Sequence, residues 1–319
     1  MHNNVSVFWQ AFFYYYRISL ISILHPNSFV KNSFPPPTSP CPTNHYTVTM
    51  VKTPQYILAK KPSDLPELSG PNATFKLQEN DTAELRDDQL LVKLLYLSND
   101  PAQRGWISPG ASKERLYVPP VDEGAVMNAR GLAEVVESKS ANFKKGDHVL
   151  AATGWSQYAV VDAKTTQPAP PLPNNLSETH YLGALGMTGL TAYYGIKEVA
   201  RTTADDVVVV SGAAGATGSM VVQIAKNIIG SKKVIGIAGS DDKCRWVESL
   251  GADVCLNYKS SSFAEDLKKQ TPDFVNVYFD NVGGDILDLM FTRMARYGRI
   301  AACGKPNSHS KHSDTLTLK

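Results

Sequence analysis

Cysteine is scarce in this chain of 319 residues. Only Cys41, Cys244, Cys255 and Cys303 occur, and no two of them form a Cys-x-x-Cys pair. That spacing signals neither a disulfide framework nor a zinc knuckle, and leaves reduced thiols and a cytoplasmic location as the plain reading. Excess charge is lacking too. The formal net charge is +2, and no basic stripe is interleaved with aromatics, so nothing argues for a nucleic-acid partner. Membrane-length apolar runs are also lacking. Residues 8–24 form an aromatic and aliphatic run of 17 residues, short for a bilayer span, and no membrane partner is expected.

Acidic residues are missing altogether before Asp64. Residues 1–49 combine that apolar run with a Pro/Ser/Asn stretch around Pro35, Pro36 and Pro37, and differ from everything after them. Three readings compete: a signal anchor, a cleaved targeting peptide, and an upstream extension with Met50 as the working start. Thin cationic content disfavours the second. The third is preferred, with this extension expected to be poorly ordered.

From Met50 the chain reads as β-rich to about Gln167. Strand patterns lie at 89–97, 131–137, 147–151 and 158–161, separated by polar turns. The proline-rich patch at 168–173 marks a boundary, because it can neither continue a helix nor sit in a central strand. Residues 181–200 then read as one helix with small residues on one face. Strands at 206–211, 233–238, 253–256, 274–279 and 299–303 alternate with helices at 219–229, 242–250, 263–270 and 285–294. Such alternation argues an α/β fold with a parallel sheet covered on both faces.

The strongest local signal is Ser211-Gly212-Ala213-Ala214-Gly215-Ala216-Thr217-Gly218, which follows a strand and opens a helix. Gly212 allows a tight exit from the strand, Gly215 lets backbone approach a pyrophosphate, and Gly218 lets the helix pack against the sheet. Gly215, Ala216, Thr217 and Gly218 then offer amides and a positive helix end to phosphates. An NAD site commonly ends its second strand in an acidic residue about 20 residues past the loop. Here that strand ends Ala238-Gly239-Ser240, with Lys243 and Arg245 close behind, a pattern that favours NADP(H). Asp241 and Asp242 argue the other way unless they cap the next helix.

These residues resemble the zinc-independent branch of the medium-chain dehydrogenase/reductases, which includes prostaglandin reductases, alkenal double-bond reductases and curcumin reductase. The resemblance rests on 95–106 (LYLSNDPAQRGW), 117–120 (YVPP), 143–149 (FKKGDHV), 182–195 (LGALGMTGLTAYYG), 208–218 (VVVSGAAGATG), 257–259 (NYK) and 279–284 (FDNVGG). It implies a GroES-like β-barrel domain at 50–173 followed by a doubly wound Rossmann NADP-binding domain at 174–304, with the active site in the cleft between. It implies that Ala216 and Gly218 hold the pyrophosphate, and that Lys243 and Tyr258, beside Ser240, bind the 2′-phosphate. Met187, Thr188 and Thr191 would lie near the nicotinamide, with Asn281 facing it and Gly304 closing the fifth strand's end.

The implied reaction is metal-free hydride transfer from NADPH to the activated C=C bond of an α,β-unsaturated ketone or aldehyde, with Tyr117 as the catalytic donor. Quinone reduction, or NADPH binding without catalysis, are the alternatives. No cysteine lies between Cys41 and Cys244, so the zinc sites of the alcohol dehydrogenases cannot be built from the first domain. His148, in a Gly-Asp-His turn, reads as an ordinary surface residue. Residues 305–319 form a polar tail unlike the family's continuation. The resemblance thus suggests a C-terminally truncated chain lacking the strand expected at a family homodimer interface.

Overall fold

A computed structural model describes residues 50–114 and 116–304. The expectations placed on residues 1–49 and 305–319 lie outside the described residues.

The first half is antiparallel. Strands β1 (Lys52–Leu58) and β2 (Phe75–Asp81) pair with each other. Strands β3 (Gln89–Leu97), β4 (Gly131–Ser138), β5 (His148–Ala151), β6 (Tyr158–Asp162) and β7 (Gln167–Pro168) form a second sheet in the order β6-β3-β4-β5-β7. Its core is the buried set Leu90, Val92, Ala133, Val135, Val149 and Val161. A short helix, α1 (Ala102–Trp106), follows β3 and buries Trp106 beside Leu58, Ile107, Val121 and Met127. The proline patch starts in the edge strand β7, where Pro168 pairs with Val149, and the chain leaves the sheet after Ala169. Beyond it, the turn Glu178–Leu182 lies back on β4 and β5, with Tyr181 and Leu182 against Leu132, Leu150 and Ala169. His148 is not a plain surface residue: its Nδ1 lies 2.6 Å from Glu178 Oε2, and the pair ties β5 to that turn.

The second half is the alternating one. Strands β8 (Val207–Val210), β9 (Lys233–Ala238), β10 (Val254–Asn257), β11 (Val275–Asp280) and β12 (Met294–Ala302) are all parallel, in the order β10-β9-β8-β11-β12. Val208, Val209 and Val210 are fully buried, as are Val234, Ile235 and Ile237, because helices cover both faces. Alternate residues divide between two cores. Val208, Val210 and Phe279 join Ile196, Val221 and Val222 on one face. Val209, Ile235 and Tyr278 join Leu267, Val275 and Met290 on the other. The helices are α2 (Met187–Tyr193), α3 (Ala216–Gln223), α4 (Asp241–Ser249), α5 (Phe263–Gln270) and α6 (Gly284–Phe291). The order reverses between β8 and β11, so their carboxyl ends flank a crevice, the place where open α/β sheets bind ligands.

The helix expected over 181–200 is broken at its start. Gly183 and Gly186 take non-helical backbone angles, and α2 begins only at Met187. A Cβ on Gly186 would come within 2.4 Å of the Tyr181 carbonyl, and one on Gly189 within 1.8 Å of that of Ala184. The small residues at Gly183 and Gly186 therefore permit a tight turn before the helix, which then runs unbroken from Met187 through Val199. Met294, placed in a helix by its sequence, starts β12; a bulge accommodates Tyr297 at positive φ. A buried carboxylate, Asp206, pairs with Arg299 of β12 and accepts from Thr203 N at 2.7 Å, fastening the edge strand to the turn before β8.

Candidate active site

The glycine loop leaves β8 at Ser211 and enters α3 at Ala216, with Gly215 in the N-cap position. Gly212 adopts φ +57, the conformation a tight strand exit needs. A Cβ on Gly215 would meet only the Gly212 carbonyl, at 3.1 Å. Gly215 and Ala216 are exposed, and no side chain caps the helix. The first amides of α3 have no intrahelical acceptor, so this mouth presents N–H groups and a positive helix end to an anion. Gly218 has a different task from the one expected. Its Cβ would lie 2.3 Å from the Gly212 carbonyl and 2.8 Å from Ala213 Cα, so it admits the loop's own backbone and not the sheet.

At the ends of β9 and β10 a second group gathers. Ser240 caps α4, its side chain accepting from Lys243 N. Asp241 and Asp242 stand in the first turn of that helix. Asp241 accepts from Asn257 Nδ2 at 2.8 Å and Asp242 pairs with Arg245, so both carboxylates are engaged locally. Tyr258 lies over Gly239, whose Cβ would meet the ring at 3.0 Å, and Tyr258 N donates to the Ala238 carbonyl. Ser240, Lys243 and Tyr258 thus flank one strand end, with Lys243 and Tyr258 exposed. Met187, exposed, and Thr188 and Thr191, half-buried, lie on α2, which packs beside α3.

On the other side of the crevice stands a group the sequence reading passed over. Asp280, which ends β11, is 1% exposed. Its Oδ1 accepts from Ser211 Oγ at 3.0 Å, Tyr278 OH at 2.8 Å, Gly283 N at 2.9 Å and Val282 N at 3.2 Å. Burial, with the nearby Asp280, pushes the Tyr278 phenol well above its ordinary range. Asn281 is tied back to the end of β8. Its Nδ2 donates to the Ser211 carbonyl at 2.8 Å and its N–H to Ser211 Oγ at 2.9 Å. Gly304 sits against this loop, where a Cβ would come within 2.2 Å of the Asn281 carbonyl. The only hint of this cluster was the FDNVGG segment itself; that its aspartate meets Ser211 is a tertiary fact.

Tyr117 comes from the antiparallel half. It is half-buried against Trp106, ring centroids 6.4 Å apart and nearly perpendicular. Burial first, then Asp100 and Cys303, raise its phenol above the ordinary value, while the Trp106 indole lowers it. The indole Nε1 is buried without a well-formed hydrogen bond, so the Trp106 contact is one of proximity. Cys303, just past the end of β12, is near enough to Tyr117 to act on its phenol. Burial and Asp280 push the Cys303 thiol up to about 11 although the residue retains solvent contact. Two hollows, of about 360 and 550 Å³, lie elsewhere, on the antiparallel half near Thr153 and near Trp155. The site is therefore defined by the crevice chemistry and not by these hollows. Among the described residues no group of three His, Cys, Asp or Glu side chains is placed to hold a metal ion, and no helix is long and apolar enough to cross a membrane.

Comparison with known proteins agrees with this architecture. A family described as the N-terminal domain of oxidoreductase matches residues 54–169, and one described as zinc-binding dehydrogenase matches 216–319. Prostaglandin reductase 1 of Bos taurus is 38% identical over 244 residues, 76% of this chain and 70% of the relative. NADPH-dependent curcumin reductase of Escherichia coli is 36% identical over 257 residues, 80% of this chain and 71% of the relative. The crystal structure of CurA from Vibrio vulnificus matches with a TM-score of 0.71 at 34% identity, covering 79% of this chain and 71% of that one. Its complex with NADPH matches with a TM-score of 0.69 at 32% identity, covering 82% and 77%. By sequence and by fold, the chain belongs to the zinc-independent branch of the medium-chain dehydrogenase/reductase family of oxidoreductases, alongside the prostaglandin and curcumin reductases.

Proposed function

We propose that this protein is an NADPH-dependent reductase acting on the activated C=C bond of α,β-unsaturated ketones or aldehydes. The reading is carried by an uncapped, amide-rich helix mouth after β8, supported by a Tyr117 phenol that burial keeps protonated and that lies near Cys303 just past β12. The residues fit a dinucleotide. Ala216, Thr217 and Gly218 would hold the diphosphate on backbone amides, Gly215, whose own amide donates to the Gly212 carbonyl at 2.8 Å, would let it approach closely, and Ser240, Lys243 and Tyr258 would hold the 2′-phosphate. Met187, Thr188, Thr191 and Asn281 would line the nicotinamide side, with Gly304 shaping the loop beneath. When bound, NADPH supplies the hydride.

Tyr117 has the chemistry of an electrophilic donor. Its phenol remains an O–H at neutral pH, so it can donate to a substrate carbonyl and stabilise the enolate oxygen that develops when the β-carbon accepts hydride. No metal is required for this step, because the charge to be stabilised forms on a conjugated oxygen within reach of a hydrogen-bond donor. A proton then reaches the α-carbon from a donor or water. The relatives named as prostaglandin and curcumin reductases support this substrate class. The test follows NADPH oxidation optically with a simple enone and an enal. Turnover is expected, and Tyr117→Phe should lower kcat about 10²–10³-fold with a smaller change in KM. A protein that binds NADPH yet oxidises none of it with any activated alkene would refute the reading.

A further inference from the structure

The Asp280 cluster does more than terminate a strand. β8 and β11 are already hydrogen-bonded neighbours, so the sheet needs no anion at this end to stay closed. Yet Asp280 is nearly inaccessible and joins no salt bridge among the described residues; backbone amides and two hydroxyls surround it. Burying a carboxylate is costly, and a well-packed apolar side chain would commonly serve stability as well or better. What the carboxylate achieves is connection. Oδ1 links Ser211 after β8 to the turn Val282-Gly283, and the Asp280 carbonyl accepts from Cys303 N at 2.8 Å and Gly304 N at 2.9 Å after β12. Gly283 takes φ +71, so this turn holds a backbone conformation that favours glycine. Three strand ends are pinned through one residue, all on the same side of the glycine loop.

That side matters. A doubly wound sheet binds a dinucleotide as two halves about its switch point, the β8-β9-β10 half taking one nucleotide and the β8-β11-β12 half the other. The Ser240, Lys243 and Tyr258 corner lies on the first half, and Asp280 on the second. We infer that Asp280 is a positioning residue for the nicotinamide half of the dinucleotide: by bonding Ser211 Oγ and the 282–283 turn, it fixes Asn281 against Gly212 and Gly304 against Asn281, without acting on the adenosine half. This rests on the dinucleotide reading of the crevice.

The test compares two ligands on the full chain. NADPH reports on both halves, by its fluorescence on binding; 2′,5′-ADP reports on the adenosine half alone, by calorimetry. Asp280→Ala should weaken NADPH binding at least tenfold and diminish the blue shift of bound NADPH, with 2′,5′-ADP affinity kept within twofold. Ser211→Ala removes one of the four donors and guards against a folding failure; it should show the same split, smaller in size. Parallel loss of both ligands, or loss of neither, would overturn the assignment. If the parent protein binds neither ligand, the dinucleotide reading falls and takes this inference with it. A parent that binds both, with variants that show no split, defeats only the role of Asp280.

Discussion

The two glycines at the helix mouth can be separated by one methyl group each. In Gly218→Ala the new Cβ would lie 2.3 Å from the Gly212 carbonyl oxygen, 2.8 Å from Ala213 Cα and 2.9 Å from the Gly212 carbonyl carbon. All three are backbone atoms, so no side chain can swing aside and the loop itself must move. Overpacking of this kind costs about 1–3 kcal/mol, and for a protein of this size each kcal/mol lowers Tm by about 2–4 °C. Gly215→Ala is different. Its φ of −83 suits alanine, and its one close neighbour is the Gly212 carbonyl at 3.1 Å. Folding stability should change by less than about 1 kcal/mol. The methyl would stand, however, at the exposed helix mouth where the diphosphate is proposed to rest, and should raise the Kd for NADPH about 10–100-fold, equivalent to about 1.4–2.8 kcal/mol. Thermal unfolding and NADPH fluorescence titration read the two effects apart. Should Gly215→Ala bind NADPH like the parent while melting early with Gly218→Ala, the loop is a structural turn and the cradle argument is wrong.

Lys243→Ala should weaken NADPH about tenfold and leave NADH unchanged, because only NADPH carries the 2′-phosphate this exposed cation is proposed to meet; equal losses for both cofactors would place the lysine elsewhere. Alkaline stability follows from four groups. Burial raises the pKa of Tyr117, Tyr278, Cys255 and Cys303, Cys303 to about 11. Above the ordinary values of 9.0 for thiols and 10.0 for phenols the unfolded chain loses protons that the folded chain keeps. The folded state then binds more protons, so stability is fully present below pH 9 and falls as pH rises through and beyond that region. Urea midpoints at pH 8, 9 and 10 should therefore decline in order, and a midpoint that rises across this range would contradict the burial of these groups.

Much of the parallel half was legible in the order of the residues. The strand over Lys233–Ala238 and the helix over Phe263–Gln270 fall where pattern alone placed them, because a strand buried on both faces is a short unbroken apolar run and an amphipathic helix carries its own period. The same holds for β3 at Gln89–Leu97. The helix expected over 181–200 begins only at Met187, because small residues that permit close helix packing, such as Gly183 and Gly186, also permit a tight turn. Strands β1 and β2 escaped notice since their pattern is mostly exposed: they pair with each other and turn only a few residues, such as Leu58 and Phe75, into a core.

The sequence by itself determined the glycine loop, the strand-helix alternation around it and the absence of a cysteine ligand set in the first half. These are local matters of backbone freedom, periodicity and composition. Only the tertiary structure decided which distant residues meet. Sixty-nine positions separate Ser211 from Asp280, and they are neighbours because parallel order sets β8 beside β11. Tyr117 and Cys303 come from opposite halves of the chain, one from a loop of the antiparallel half and one just past the end of β12, and what brings them near each other is how the two halves pack, which no local pattern encodes.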